Sequence, residues 1–498
     1  MKLVRNKIGF FLGIMLCVCF LIIPPPSGMS VEAWRVVAVT VLMAVFWITE
    51  ALPIAATSLI PIVLFPILGI LDSPAVTASY GSNVIFLFMG GFFLAVTMEK
   101  WNLHRRIALT TIRLTGTSPS KMILGFAIAT FFLSMWVSNT ATAVMMVPIG
   151  IAVVSSFIGS SGDPVQVKKE SNFGRSLMLM IAYTSTIGGI TTIIATPANA
   201  IAVGILYSTY GLTVTFFQWM LVGLPLGIVM TAIVYILLTK VLFRTGDLKL
   251  MGGKEVIEEE YAKLGPLTKP EKRVLIIGGL MVVSWIGRGF IDLEFLRMVT
   301  DTQIAIAGTL LLFIVPAKKE ERILDWDTAL KIPWGICLLF GGGIAIATAF
   351  ERTGLAGWIS ENVANIEGLT LFTTVLIATA VVCNLTEIAS NTAIATLFIP
   401  IMGASAIALG IHPFATVIAI CFASSMCFMM PVATPPNAIA FASGRLRIKD
   451  MVMTGLILDF VTIALVVVAV LFWLPRVWGV DLSFTPQSVL DFLLANTG

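Results

Sequence analysis

Long apolar runs follow one another along this chain, separated by short polar knots. They fall near 8–23, 31–50, 54–70, 83–99, 175–207, 214–243, 273–290, 302–316, 333–350, 412–442 and 451–474. Many are near or above the ~18–20 residues that a helix needs to cross ~30 Å of hydrocarbon. The pattern predicts eleven membrane spans. Two further apolar regions, about 120–158 and 369–409, do not fit it. Met122 to Ile158 is 37 residues without a charge. As one helix it would run about 55 Å, too long for a bilayer. Ser138-Asn139-Thr140 divides it into two arms, each a little short of a full crossing. Irregular backbone at membrane depth survives only when buried in protein or lining a wet cavity. A re-entrant hairpin with the trio at its tip is therefore expected. Ser390-Asn391-Thr392 marks a second hairpin in 369–409. The alternative, two short spans joined at a surface in each case, preserves the parity of crossings, so charge does not exclude it.

Composition agrees with the pattern. The chain has 498 residues, 58% hydrophobic and 12% charged, with a mean hydropathy of +1.00. Soluble domains carry about a quarter charged residues. The fold class is thus an all-α polytopic membrane protein. The six cysteines lie in apolar segments without metal-ligand spacing, and His104 and His412 are far apart. Zinc chemistry and a Ser-His-Asp triad lack raw material, no cofactor is expected, and the chain does not read as an enzyme. The net charge of +4 sits in loops, a topology signal rather than a nucleic-acid surface.

Charge orients the chain. Lys2, Arg5 and Lys7 precede the first run, which reads as an uncleaved span rather than a signal peptide. Lys100, Arg105, Arg106, Arg113 and Lys121, then Lys168, Lys169 and Arg175, then Lys318, Lys319, Arg322 and Lys331, then Arg445, Arg447 and Lys449 all fall on one face, given eleven spans, two hairpins and a cytoplasmic N-terminus. Domain boundaries follow: scaffold helices in 1–118, a first hairpin with the following interrupted helix in 119–243, a connector at 244–272, scaffold helices in 273–368, and a second hairpin with its interrupted helix in 369–498. The connector is rich in both charge signs and reads as a solvated link rather than a docking element.

The chain repeats itself. The trios are 252 residues apart (390 − 138), and at that offset 87–107 matches 339–359 at eight of 21 positions. "ATPANAIA" (195–202) recurs as "ATPPNAIA" (433–440), identical at seven of eight positions. Five spans separate the hairpins, and an odd number inverts the second copy. Inverted repeats with interrupted segments at matching places point to a secondary transporter with its site at the repeat interface.

Each ATPxN lies inside a span-length run, where proline should break the helix. The break exposes carbonyls, amides, a threonine hydroxyl and an asparagine amide. Segments 122–158, 176–239 and 370–411 hold no Lys, Arg or His, and Glu387 is their one carboxylate. Hydroxyls, amide oxygens and backbone carbonyls ligate a hard cation such as Na⁺; hydroxyls, amides and helix N-termini hold an oxyanion. A dianion entering such a neutral site alone would be costly, and co-bound cations remove that cost. The chemistry points to anion–cation symport. Glu387 reads either as a proton-coupling group or as a structural brace, and Asp459 as structural.

The paired SNT trios, the ATPAN/ATPPN pair, "WITEALP" (47–53), "MEKWNLHRRIAL" (98–109) and "SSMCFMMPVATPPNAIAF" (424–441) resemble the divalent anion:sodium symporter family, and within it the sodium-coupled dicarboxylate transporters. The resemblance covers nearly the whole chain. It implies eleven spans plus two re-entrant hairpins, an inverted-repeat elevator-type fold, a homodimer in the lipid of the cell membrane, and Na⁺ as coupling ion. Carried over motif by motif, it places one sodium ion at Ser134, Ser138, Asn139 and the Ala195 carbonyl. The other falls at Thr386, Ala389, Asn391 and Ala433, the two alanines through backbone oxygens. The substrate would meet Asn139, Thr140, Thr196, Ser390, Asn391, Thr392, Thr434 and Pro435. "ATPAN" departs from the family pattern, with Ala195 and Ala198 where relatives commonly carry Gly and Pro. The implied activity is Na⁺-coupled symport of C4-dicarboxylates such as succinate, malate or fumarate. A dicarboxylate exchanger and a Na⁺/sulfate symporter are the rivals within the family, and a channel or an intramembrane enzyme outside it.

Overall fold

The computed structural model describes residues 2–116, 118–156, 164–244, 253–288, 299–318, 321–364 and 368–497. Lys319, the end of the run at 273–290, the last two residues of 122–158 and residues 245–252 of the connector lie outside them. Among the described residues the chain is helical, with one isolated bridge between Pro316 and Arg322.

α1 (Lys2–Ile22) and α2 (Val31–Thr49) pack on each other. The single span expected at 54–70 is instead two short helices, α3 (Ile54–Thr57) and α4 (Ile60–Ile67). Pro61 is the cause: it has no N–H for the Thr57 carbonyl and its ring crowds that carbonyl. α5 (Ser73–Ser79), capped by the Asp72 side chain, leads to α6 (Asn83–Lys100). α7 (Leu103–Thr115) is amphipathic, burying Leu103, Arg106, Leu109 and Ile112, spaced three apart.

The uncharged region after it breaks, as expected, but just ahead of the trio, whose Asn139 and Thr140 open the next helix. α8 (Pro119–Ser134) and α9 (Asn139–Ser155) are joined by four residues, 135–138. α10 (Pro164–Gly189) then stops short, a 3₁₀ turn covers Ile193–Ala195, and α11 (Pro197–Tyr210) resumes with proline in its first turn. Proline is suited to that position because its missing N–H has no intrahelical partner there anyway. α12 (Phe216–Ile236) ends in a π-helical turn at Leu237–Leu242.

After the connector helix α13 (Gly253–Ala262) come α14 (Lys269–Gly287), α15 (Asp301–Ile314), the one-turn α16 (Trp326–Ala329), α17 (Trp334–Arg352) and α18 (Leu355–Ala364). The second hairpin is α19 (Leu371–Thr386) and α20 (Asn391–Ala408). α21 (Pro413–Ser425) breaks before α22 (Pro435–Ala442), and α23 (Ile448–Val468) ends in a π-helical turn at Ala469–Trp473. α24 (Leu474–Trp478) and α25 (Gln487–Thr497) close the chain.

The sequence repeat is a structural one. α7 and α18 begin 252 residues apart (355 − 103), as do α8 and α19 (371 − 119) and α9 and α20 (391 − 139). After the breaks, α12 and α23 begin 232 apart (448 − 216), and so do their π-helical turns (469 − 237). Packing crosses between the copies: α11 lies on α20 and α21, while α22 lies on α9 and α10. The core accordingly runs through both interrupted helices, whose buried faces include Tyr183, Ile187, Ile201, Ile418 and Phe422.

Six helical stretches among the described residues are long and apolar enough to cross a membrane: Val31–Thr49, Ser73–Lys100, Phe216–Leu242, Trp334–Arg352, Asn391–Ala408 and Ile448–Trp478. The hairpin arm Asn391–Ala408 reaches that length, whereas Pro119–Ser134, Asn139–Ser155 and Leu371–Thr386 are shorter.

The connector departs from expectation. Its described part, 253–272, is exposed along much of its length but is more than a link, because α13 and the turn after it are docked on α7. Arg105 pairs with Glu260, and Arg113 Nε lies 2.7 Å from Glu258 Oε1. Arg106 Nε donates to Glu271 Oε1 at 2.6 Å, and its other nitrogens donate to the carbonyls of Leu264, Gly265 and Pro266. Charge composition could not reveal this, because it does not say which arginines face which glutamates. Two outcomes separate the pairs. Arg106→Ala leaves the nearly buried Glu271 uncompensated and should cost about 3–5 kcal/mol. Glu258→Gln, in a half-exposed pair, should cost ~1 kcal/mol or less. Melting curves in detergent check both, and equal shifts would refute the distinction.

Candidate functional site

Each hairpin tip meets the break of the interrupted helix that follows it. In the first copy the Thr192 hydroxyl donates to the Met135 carbonyl at 2.6 Å. Ser134, the last residue of α8, sets its Oγ 2.5 Å from the Ser185 carbonyl and 2.9 Å from Asn139 Oδ1. One hydroxyl proton serves one of these two oxygens at a time, so three oxygens crowd together with a single hydrogen among them. Such a cluster suits a hard cation. Asn139 comes this close because residue 189 is glycine: a Cβ there would lie 2.5 Å from Asn139 Oδ1.

The second copy builds the same junction from different groups. Position 387 corresponds to Met135 (387 − 135 = 252), and Glu387 offers a carboxylate where the first copy offers a carbonyl. Glu387 Oε1 accepts from Phe428 N at 2.6 Å and Met429 N at 3.0 Å, and Oε2 from Met429 N at 3.1 Å and Met430 N at 3.0 Å. Three amides left open by the end of α21 are thereby satisfied, and the tip is fastened to the break. This geometry makes Glu387 a brace. Asp459 of α23 is buried with its carboxyl beside that of Glu387. One turn earlier, Gly455 admits the backbone of Phe428 and Met429, where a Cβ would come within 2.3 Å of Met429 Cα. Asn391 donates to the Ser425 carbonyl at 3.5 Å and accepts from the Cys427 thiol at 3.1 Å. Cys427 stands where Gly189 stands in the first copy (427 − 189 = 238).

The motif residues divide by what they already bond. Ser138 caps α9, accepting from Ala141 N at 3.3 Å, and Thr434 caps α22, accepting from Asn437 N at 3.2 Å. Thr386 turns its hydroxyl onto the Cys383 carbonyl, 3.0 Å away. Thr196 and Ser390 sit at the N-caps of α11 and α20 without a side-chain cap bond. Thr140 and Pro435 are exposed, Asn139, Thr196, Ala389, Asn391 and Thr392 are half-buried, and Ala195 and Ala433 are buried. Four helix N-termini, those of α9, α11, α20 and α22, thus open at the motifs. With no basic side chain in these segments, the site's positive character comes from backbone amides and helix ends.

One expectation fails. The sequence presents the asparagine amides of the two ATPxN motifs as groups open to a ligand. Both are fully buried and serve the breaks themselves: Asn199 donates to the carbonyls of Gly189 (3.0 Å) and Thr192 (2.7 Å), and Asn437 to that of Met430 (3.1 Å). A broken helix leaves carbonyls that need donors, and here the two asparagine NH2 groups supply them. Ser185, Gly189, Thr192 and Cys427 were not singled out from the sequence. The first three lie outside every motif and Cys427 inside 424–441 only as one residue of a longer stretch, and the repeat offset alone could have paired Gly189 with Cys427.

A chain helical among its described residues, with duplicated hairpins, interrupted helices at matching positions and a polar site without basic side chains between them, is a polytopic membrane transporter rather than an enzyme. The chain belongs to the family described as sodium:sulfate symporter transmembrane region, whose model matches residues 5–479. It is similar to the sodium-dependent dicarboxylate transporter SdcS of Staphylococcus saprophyticus, 41% identical over 96% of this chain and 93% of that one. It is 42% identical to the SdcS of Staphylococcus aureus strain USA300, over 96% of this chain and 92% of that one. In fold it is similar to MtrF of Neisseria gonorrhoeae, from a study of antimetabolite efflux pumps (TM-score 0.57, 13% identity, 93% of this chain and 95% of that one). It is likewise similar to the YdaH transporter of Alcanivorax borkumensis (TM-score 0.54, 13% identity, 94% and 99%).

Proposed function

We propose that this protein is a secondary active transporter that couples the entry of Na⁺ to that of a C4-dicarboxylate such as succinate, malate or fumarate. The observation that carries the reading is the duplicated tip-and-break junction, rich in hydroxyl, amide and carbonyl groups and free of basic side chains. A dianion there needs cations of its own. Relatives at 41–42% identity that bear the name sodium-dependent dicarboxylate transporter support the choice of ion and substrate. Ser134, Ser138, Asn139 and the Ala195 carbonyl hold one sodium ion; Thr386, Ala389, Asn391 and Ala433 hold the other. Thr140, Thr196, Ser390, Thr392, Thr434 and Pro435, with the two asparagines, face the carboxylates. Segments 119–243 and 369–498 move as the transport domain against scaffold helices of 1–118 and 273–368. The two copies are inverted, the protein is a homodimer of the cell membrane, and its N-terminus is cytoplasmic.

Radiolabelled succinate uptake into proteoliposomes tests this, with inward gradients of Na⁺, K⁺, Li⁺ or choline. Uptake should require Na⁺. Equal uptake in choline would instead favour an exchanger, and sulfate uptake without succinate uptake a sulfate symporter. Within the site, Thr392→Val removes a hydroxyl while keeping shape. It should raise the succinate KM roughly tenfold to a hundredfold, the worth of one hydrogen bond to a charged group. Ser138→Ala should first shift sodium activation. Sodium affinity at saturating succinate separates the roles: a Thr392→Val protein with normal KM and altered sodium activation would refute the assignment.

A further inference from the structure

The two breaks are linked to each other as well as to their hairpins. Tyr183 of α10 is fully buried, and its O–H donates to the Phe428 carbonyl at 3.0 Å, in the break of the other copy. Its ring meets that of Phe428 edge-on, with centroids 5.1 Å apart. The residue at the matching place in the second copy is Cys421 of α21 (421 − 183 = 238). Its thiol, also fully buried, donates the opposite way, to Asn199 Oδ1 at 3.3 Å. Asn199 in turn holds the Gly189 and Thr192 carbonyls of the first break, and the N–H of Phe428 is held by Glu387 at the second tip. Each break is therefore gripped by the intact half-helix of the other copy.

Neither donor belongs to the ligand set. Each fixes a break, Tyr183 through the Phe428 carbonyl and Cys421 through Asn199, and the proposed sodium sites draw on carbonyls in the same breaks, those of Ala195 and Ala433. We propose that Tyr183 and Cys421 are positioning residues that couple the two cation sites, so that a sodium ion ordering one break favours the ordering of the other and the two ions bind cooperatively. This rests on the sodium-coupled reading above. A buried element with two states, ordered and loosened, whose balance both sites bias is a physical route for such coupling, and the coupling acts equally in both directions.

The test is the sodium activation of succinate uptake in proteoliposomes. The proteins compared are wild type, Tyr183→Phe, Cys421→Ala, Cys421→Ser and Thr184→Val. Thr184 is the buried neighbour of Tyr183, and its hydroxyl bonds only within its own helix, to the Met180 carbonyl. Tyr183→Phe should lower the Hill coefficient for sodium toward one and raise half-saturating sodium about fivefold, the worth of one neutral buried hydrogen bond. The succinate KM at saturating sodium should hold. Cys421→Ala should act in the same direction, Cys421→Ser should restore the wild-type curve, and Thr184→Val should leave it unchanged. Wild-type Hill coefficients in both Tyr183→Phe and Cys421→Ala overturn the inference, and so does an equal loss in Thr184→Val. Cys421→Ala removes little volume and carries the test alone if Tyr183→Phe fails to assemble. Sodium-independent uptake by the wild type overturns the proposed function and this inference together. Sodium-dependent wild-type uptake with unaltered variants overturns this inference alone.

Discussion

Gly189→Ala is expected to fold normally and to lose most of its sodium activation. The added Cβ would lie 2.5 Å from Asn139 Oδ1 and 2.7 Å from Nδ2. Both are terminal atoms of a side chain that can swing away, so strain is relieved locally. The relief moves the amide oxygen out of the cluster with Ser134 and Ser185. Losing one ligand to a charged species should cost roughly tenfold to a hundredfold in sodium affinity. The adjacent Gly188→Ala provides the contrast. Its Cβ would lie 2.5 Å from the Phe131 carbonyl, a backbone atom that cannot turn aside, and 2.8 Å from Ser134 Cβ, so here stability should fall along with sodium affinity. Overpacking of that kind costs about 1–3 kcal/mol of stability. Melting curves set beside sodium titrations separate the two. A Gly189→Ala protein with normal sodium affinity would show that Asn139 is not a ligand.

Glu387→Ala should abolish uptake and sharply lower the melting temperature. Removing the carboxylate strands three amides, those of Phe428, Met429 and Met430, at a tip whose glutamate is buried. Unsatisfied buried donors cost ~1–3 kcal/mol each, so the loss is on the order of several kcal/mol. The equivalent test in the first copy is milder. Thr192→Val removes one bond, to the Met135 carbonyl, and should cost about 1 kcal/mol. If the two substitutions destabilise equally, the second tip is not the more firmly fastened one.

The breaks were legible because proline and the SNT trios act locally: Pro197 and Pro435 begin helices, and residues 135–138 and 387–390 join hairpin arms. Offsets in the sequence foretold the paired starts of α8 with α19 and of α9 with α20 for the same reason. What holds the breaks was not legible. Glu387 could be seen as a buried carboxylate, but its partners are amides forty residues away, and amides have no sequence signature. The ATPxN asparagines were misread because a polar group in an apolar run looks the same whether it serves a ligand or the backbone. The docking of α13 was missed for the converse reason, since exposed-looking charges can be paired. Pro61 acts through the Thr57 carbonyl alone, and that is enough to turn a predicted span into two short helices.

α15 is 14 residues long, about 21 Å, and exposes Leu310, Leu311 and Ile314. Were this face set against lipid, the apolar wall would fall well short of the ~30 Å of hydrocarbon beside it, and the mismatch would carry an elastic cost of fractions of a kcal/mol per ångström. On that footing uptake should be faster in vesicles of shorter-chain lipid than in thicker ones, and equal rates across chain lengths would place α15 away from the acyl chains.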